Sequence, residues 1–272
     1  MAGLFHVDAF ASAPFTGNPA AVLVLDSEPD GLAGARAGAE LNQPATAVTW
    51  PAGEPGRFGL RWFTASAELD LCGHGTLAAA RVLLGAGRGV DGRLLFDTKA
   101  GLLEARSVDI SGGVAGDWVE LRFPSLAPRP VPDAGLSTAV AGLLTAPVTE
   151  VLVNDLDVMA VLGSAAEVRA AQPDLAALAR LPVRGLIITA VADGGADFVS
   201  RFFSPSTGVG EDAVTGSAHC ALGPYWIGRL GRQPLLGHQL SARGGLVRVA
   251  VDSGNVTLAG QALVLSEGTW RA

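Results

Sequence analysis

Residues 68–84, ELDLCGHGTLAAARVLL, place a cysteine, two glycines and a histidine directly before a run of small and aliphatic residues. The run predicts a helix, so Cys72, Gly73, His74 and Gly75 fall at its N-terminus. Glycine lets a ligand approach the backbone closely, and the first N–H groups of a helix have no partners inside it. The stretch therefore predicts a binding site for a carboxylate or a phosphate.

Two side chains of this stretch can transfer protons. His74 can donate or accept a proton near neutral pH, although a capping or packed histidine is the alternative. Cys72 lies at the positive end of the helix dipole, which would lower the pKa of its thiol and allow an acid/base role. A small buried side chain with no chemical role is the other interpretation of Cys72.

The same pattern occurs again later in the chain. Residues 61–66, RWFTAS, match residues 201–206, RFFSPS, at an offset of 140, and ELDLCGHG aligns with EDAVTGSA at an offset of 143. In the second copy Asp212 precedes Gly216 by four residues, where its carboxylate could bond a histidine of the other half. An ordinary loop or N-cap acid is the alternative for Asp212, and chance similarity of Gly- and Ala-rich stretches is the alternative for the repeat.

A zinc site formed by Cys72, His74, His219 and Cys220 is an alternative use of these residues. His219 and Cys220, however, are adjacent in the second helix, where neighbouring side chains point about 100° apart, and no known zinc-ligand spacing is present. We therefore predict no metal and packing roles for these two residues.

Each half reads as a strand, the motif loop, an apolar helix and a hairpin. Helices with small and apolar residues on several faces indicate burial inside a curved sheet. The Pro-rich segment 124–135 reads as a linker between the halves. We predict an N-terminal domain over residues 1–123, to which a C-terminal strand at 262–272 returns, and a C-terminal domain over residues 124–261.

The composition limits the class of partner. The chain has 272 residues, 49% of them hydrophobic and 17% charged, with a net charge of −7 and a pI near 5.1. No run of Lys or Arg is present, which argues against nucleic acid or an anionic membrane and favours a small molecule. No signal peptide or membrane-spanning segment is evident, and two cysteines are too few for a disulfide framework, so we expect a soluble, cytoplasmic protein.

Four stretches resemble one family: HVDAFASAPFTGNPAAVLVL, FTASAELDLCGHGTLAAA, RFFSPSTGVGEDAVTGSAHCALGPYW and GQALVL. They are similar to the PhzF-like, phenazine-biosynthesis isomerase family, which is related in fold to diaminopimelate epimerase. The resemblance implies an α/β (α+β) protein of two pseudo-symmetric domains, each a curved mixed sheet wrapped around a central helix. It further implies an active site in the interdomain cleft and, as is usual in the family, a homodimer.

The resemblance also assigns residues. The Gly-His pair and the acid followed by Gly-Ser hold the substrate carboxylate and arrange proton transfer in that family. We expect proton transfer from His74, Asp212 and Cys72. We expect substrate contacts from Asn18, Ala45, Gly73, Gly75, Thr215, Gly216 and Ser217.

One position departs from the family pattern. The proton-carrying glutamate normally lies in Asn-Leu-Ser-Glu-Thr, whereas this chain has Asn-Gln-Pro-Ala-Thr, with Ala45 in its place. Glu40 matches a different acid of that segment, so the carboxylate that would carry the 1,5-hydrogen shift of the phenazine pathway is missing here. The epimerase relatives use two cysteines, but only Cys72 is present, since Thr215 occupies the second position.

We therefore predict a cofactor-independent, isomerase-like enzyme of secondary metabolism that moves a proton on a small cyclic or aromatic carboxylic acid. A catalytically silent homologue that only binds such an acid is the alternative from another class. A third possibility is changed chemistry, such as cyclisation, addition or dehydration, with Ala45 making room for a bulkier substrate.

Overall fold

The computed structural model describes residues 2–110 and 118–271. The chain divides into two compact units, the first formed by residues 1–123 with 259–272 and the second by residues 124–258. A last strand, β17 (Asn255–Trp270), begins in the second unit and ends in the first. The boundary predicted between residues 261 and 262 falls inside this strand.

The first unit is a mixed sheet with two helices, α1 (Gly31–Leu41) and α2 (Gly73–Gly85). Its first strand pairs antiparallel with the second and with the end of β17, and the second pairs parallel with the third. The strands of the first unit are β1 (Ala2–Ala9), β2 (Asn18–Val24), β3 (Thr46–Pro51), β4 (Arg57–Phe63), β5 (Glu68–Leu69), β6 (Arg93–Thr98), β7 (Gly101–Val108) and β8 (Trp118–Pro124).

The second unit is also a mixed sheet with helices. Its helices are α3 (Ala134–Ala141), α4 (Ala165–Ala170), α5 (Leu175–Leu178) and α6 (Gly216–Leu230). Its strands are β9 (Arg129–Pro130), β10 (Val148–Val153), β11 (Asp157–Leu162), β12 (Gly185–Val191), β13 (Phe198–Ser204), β14 (Val209–Asp212), β15 (Leu235–Gln239) and β16 (Gly245–Asp252).

The order of strand pairing repeats between the units. In the first unit β3 pairs antiparallel with β4, which also pairs antiparallel with β5 and parallel with β6. In the second unit β12, β13, β14 and β15 are paired in the same senses. The register repeats too, since Trp62 faces Leu69 and Phe202 faces Asp212 at the offsets of the sequence repeat. The repeat seen in the sequence is thus a repeat of structure.

The two longest helices lie at the centres of their units. Residues Gly75 to Ala80 of α2 are all buried, and the helix packs on the strands of its own sheet. Helix α6 is buried over residues 218–223 and at Trp226, and it packs on β15 and β16. Their small and aliphatic residues allow this close approach on several faces. The predicted helices beginning near the two motif glycines are confirmed.

The Pro-rich segment is more ordered than a linker. It contains the two-residue strand β9, which pairs with β10, and it runs into α3. The backbone N–H of Leu126 donates to the carbonyl of Cys220 at 3.1 Å. That carbonyl is available because Pro224, one turn later in α6, has no N–H to donate to it. The turn predicted between β7 and β8 falls on residues 111–117, outside the described residues.

Within the described ranges, no helix is both long and apolar enough to cross a bilayer.

Candidate active site

Cys72 is the N-cap of α2, and its backbone rather than its side chain closes the first turn. Its carbonyl accepts hydrogen bonds from the backbone N–H of Thr76 at 2.9 Å and from the Thr76 hydroxyl at 2.7 Å. The thiol caps no backbone N–H. Instead its sulfur lies 3.5 Å from Nδ1 of His74. A thiol and an imidazole therefore touch at the N-terminus of α2, which is the positive end of the helix dipole.

Gly75 makes this contact possible. A Cβ atom there would lie 2.8 Å from Cδ1 of Trp62 and 3.2 Å from Sγ of Cys72. Trp62 is wholly buried in β4, and its ring packs against the first turn of α2. The glycine is thus required by close packing, because a side chain there would collide with Trp62 and crowd the Cys72 sulfur.

Ala45 lies on the face of the sheet that carries α2. Trp62 faces α2 and pairs with Ala47, and Ala45 is two residues before Ala47, so its side chain points the same way. Because β3 begins where β4 ends, Ala45 lies at the end of the sheet from which the chain continues into α2. Ala45 is fully buried, so its methyl group does not itself reach solvent. Asn18, the first residue of β2, is also fully buried.

An ion pair braces the loop before α2. Arg61 donates two hydrogen bonds to the carboxylate of Glu68, at 2.6 and 2.7 Å, and Lys99 adds a third at 2.7 Å. The Arg61 guanidinium lowers the pKa of Glu68 to about 2. In the second unit Arg201 makes the equivalent two-point pair with Glu211, at 2.6 and 2.9 Å. The ion pair is therefore part of the duplicated framework.

In the second unit, Thr215 takes the place of Cys72 as the N-cap of α6. Its hydroxyl donates to Oδ2 of Asp212 at 2.6 Å. The buried side chain of Gln239 accepts from the Thr215 N–H at 2.9 Å and donates to the Asp212 carbonyl at 2.8 Å. Asp212 is thus held in a fixed position four residues before Gly216.

Ser217 takes the place of His74 in the second unit. Its Oγ accepts a hydrogen bond from Nη2 of Arg184 at 2.9 Å. Arg184 also donates to both carboxylate oxygens of Asp157, at 2.9 and 2.6 Å. Burial raises the pKa of the fully enclosed Asp157 carboxyl, and the Arg184 guanidinium opposes that shift.

His219 and Cys220 lie inside α6 and are fully enclosed. Nδ1 of His219 lies 2.8 Å from the Thr215 carbonyl, and burial lowers the pKa of His219 to about 4. Burial raises the pKa of the Cys220 thiol to about 12. In residues 2–110 and 118–271 no group of three or more His, Cys, Asp or Glu side chains could hold a metal ion.

The structure adds two residues that the sequence analysis missed, Arg184 and Gln239. Both had a sequence signal. Arg184 is a charged residue directly before the apolar strand β12, and Gln239 is a polar residue at an inward position of the alternating strand β15. A polar side chain at an inward position must find partners, which predicts a fixed contact.

Nearly the whole chain matches one protein family. The family described as phenazine biosynthesis-like protein, PhzC-PhzF, matches residues 7–268. This chain belongs to the PhzF family. A relative from Pseudomonas aeruginosa, named as an uncharacterized isomerase, is 42% identical over 268 residues, which cover 98% of each chain.

Solved structures give the same result. The PhzF-family protein of Enterococcus faecalis shares 35% sequence identity and a TM-score of 0.89, with 98% of each chain covered. A probable proline racemase from Agrobacterium radiobacter is similar in fold alone, with 12% identity, a TM-score of 0.63, and 100% of this chain and 93% of that chain covered. The predicted family and the epimerase-like fold class are confirmed, and the isomerase class is supported.

Proposed function

We propose that this PhzF-family protein is a cofactor-independent isomerase that moves a proton between carbon atoms of a small cyclic or aromatic carboxylic acid. The observation that carries the proposal is the 3.5 Å contact between the Cys72 sulfur and Nδ1 of His74 at the N-terminus of α2. Removal of a proton from carbon and its return elsewhere changes no oxidation state, so side chains alone suffice.

The proton-transfer roles fall to three side chains. His74 can accept and release a proton in the physiological pH range. Cys72 touches His74 and can pass a proton to it or receive one from it. Asp212, fixed by the Thr215 hydroxyl, is the acid or base that the second unit supplies. We propose these residues as the catalytic set.

The substrate's carboxylate is the anchor in this proposal. The first N–H groups of a helix have no partner within the helix, so the starts of α2 and α6 favour an anion. We propose Gly73, Gly75, Gly216 and Ser217 as its contacts, with Asn18, Ala45 and Thr215 bordering the substrate. That both units serve one substrate rests on the structural repeat and on family membership.

Ala45 supports a competing proposal. The family glutamate would lie at this position, and here a fully enclosed methyl group takes its place. A protein that binds the carboxylic acid without turning it over would retain the helix N-termini and lose the base. Changed chemistry, such as cyclisation, addition or dehydration, is the other way to use the same site.

Exchange of substrate C–H hydrogen with solvent deuterium separates these proposals. We expect His74→Asn and Asp212→Asn each to lower the exchange rate by about 10²-fold or more, the usual contribution of a general acid or base. Arg129→Gln, which alters only an exposed ion pair with Asp155, is the matched control. Binding of an acid without exchange by the wild type would favour the silent homologue.

The remaining proposals concern assembly and location. We propose a homodimer in the cytoplasm, following the family resemblance. Light scattering on the eluted protein would give a mass near twice 27.6 kDa. A mass near 27.6 kDa would contradict the dimer.

A further inference from the structure

The repeat shows which contacts are shared by both units and which belong to one. The Arg61–Glu68 pair has its equivalent in Arg201–Glu211, so it serves the framework. The Asp157–Arg184 pair has none, because the register of β2 and β3 against that of β11 and β12 makes Ala20 and Pro44 the equivalent residues. This pair is therefore an addition to the second unit.

Arg184 is held rigidly. Its Nε and Nη2 atoms bond both oxygens of Asp157, whose side chain is completely buried. The guanidinium also lies over the ring of Phe202, 5.3 Å from the ring centre. Asp157 and Phe202 thus fix the guanidinium in one orientation, which removes most of the entropy cost of using it to bind a ligand.

The fixed guanidinium keeps N–H groups that a ligand could accept from. Nη1 of Arg184 donates to no described residue, although a third of the side chain is exposed. Oγ of Ser217 accepts from Nη2, so its own proton points elsewhere, and it finds no acceptor among the described residues. The Ser217 hydroxyl and Nη1 of Arg184, beside the start of α6, thus have no acceptor among the described residues.

We propose that Arg184 binds the carboxylate of the substrate together with Ser217, and so makes the protein selective for acids over neutral analogues. The inference rests on the proposed function and deepens it. Asp157 is a positioning residue, since it acts only through Arg184. The first unit has Pro44 at the equivalent place, so it supplies no equivalent guanidinium.

The test compares binding of anthranilate with binding of 2-aminobenzamide, which has the same ring and no charge. By titration calorimetry we expect the wild type to bind the acid at least 10-fold more tightly than the amide. Arg184→Lys, which keeps the charge but not the planar fork, should weaken acid binding about 10-fold or more and leave amide binding unchanged. Ser217→Ala should weaken acid binding by a smaller factor.

Loss of Arg184 alone would strand a buried carboxylate and destabilise the fold. The double variant Asp157→Asn with Arg184→Gln removes both charges, so it leaves no unpaired buried carboxylate and can be tested as a folded protein. It should lose the preference for the acid, whereas Arg129→Gln should retain it. A general structural defect would weaken acid and amide equally, and that result would overturn the role of Arg184.

The outcome is separable from the isomerase proposal. Suppose that the wild type shows no deuterium exchange and that the Arg184 variants lose the preference for the acid. The binding role of Arg184 would then stand, and the isomerase proposal would fall. Undiminished acid preference in both Arg184 variants, or a wild type without any preference, would overturn the inference whatever the exchange assay shows.

Discussion

Arg61 and Glu68 form a two-point ion pair, with N···O distances of 2.6 and 2.7 Å, in the segment that leads into α2. About four-fifths of each side chain is buried. Planar, two-point geometry and partial burial distinguish this pair from an ordinary surface ion pair. Since Arg201 and Glu211 repeat it, we regard the pair as the brace that holds each helix N-terminus in place.

The brace predicts a pH-dependent stability. Glu68 has a pKa lowered from 4.5 to about 2, so its contribution is complete above pH 4.5 and is lost as the pH falls through 2. Glu68→Gln should lower the free energy of unfolding at pH 7 by about 1–2 kcal/mol. The difference from wild type should disappear between pH 4.5 and 2. Glu104→Gln, at an exposed pair with Arg93, should change stability by less than about 0.5 kcal/mol.

Urea unfolding of the three proteins at pH 7 and pH 3 measures these differences. A Glu68→Gln protein as stable as wild type at pH 7 would show that the pair braces nothing.

His219 should also make the fold sensitive to acid, because it is buried in its neutral form, whereas Glu68 is stabilising in its charged form. Burial lowers the pKa of His219 from 6.5 to about 4. Between pH 6.5 and 4 the unfolded chain therefore binds a proton at this residue and the folded chain does not. Stability should fall by about 1.4 kcal/mol per pH unit between pH 6.5 and 4 from this residue alone. In His219→Gln the loss between pH 7 and 5 should be smaller by about 2 kcal/mol. Equal losses in the two proteins, measured by urea unfolding, would contradict this account.

Gly75 predicts a packing defect at the candidate active site. Gly75→Ala would bring a methyl group within 2.8 Å of Trp62 and 3.2 Å of the Cys72 sulfur. We expect a loss of about 1–3 kcal/mol in stability and a displaced thiol. Gly228→Ala is the control, because Gly228 is exposed in α6 and a Cβ atom added there would meet no neighbouring group within 4 Å. This substitution should raise the free energy of unfolding by about 0.5–1 kcal/mol. Thermal unfolding measures both, and a Gly75→Ala protein as stable as wild type would contradict the packing.

The duplicated elements could be predicted from the sequence because the patterns that indicate them are short. Alternating strands, the glycines at helix starts and the two matching stretches all show within about twenty residues. The contact of Cys72 with His74 follows from their adjacency at one helix start. Arg184 and Ser217 are 33 residues apart, and Gln239 reaches a loop 24 residues before it. Such contacts depend on the register of packed strands, which the pattern of hydrophobicity leaves open.

Ala45 predicts a gain of activity. Ala45→Glu should place a carboxylate on the α2 face of the sheet, where the family's base would lie. We expect deuterium exchange into a dihydro-hydroxyanthranilate to rise by about 10²–10⁴-fold over a low wild-type rate. Ala45→Gln, equal in size but without the charge, should give no gain. Wild type exchanging as fast as Ala45→Glu would show that another residue, Cys72 first, already serves as the base for this compound.

Proton transfer at carbon without a cofactor is the central claim, and solvent exchange tests it most directly. The wild-type protein, dialysed against EDTA, is incubated in D₂O with a panel of small cyclic and aromatic carboxylic acids and analysed by mass spectrometry. We predict that at least one acid gains a carbon-bound deuterium, and that Cys72→Ala combined with His74→Asn abolishes the gain. Absence of exchange across the panel, or exchange undiminished in the double variant, would contradict the account.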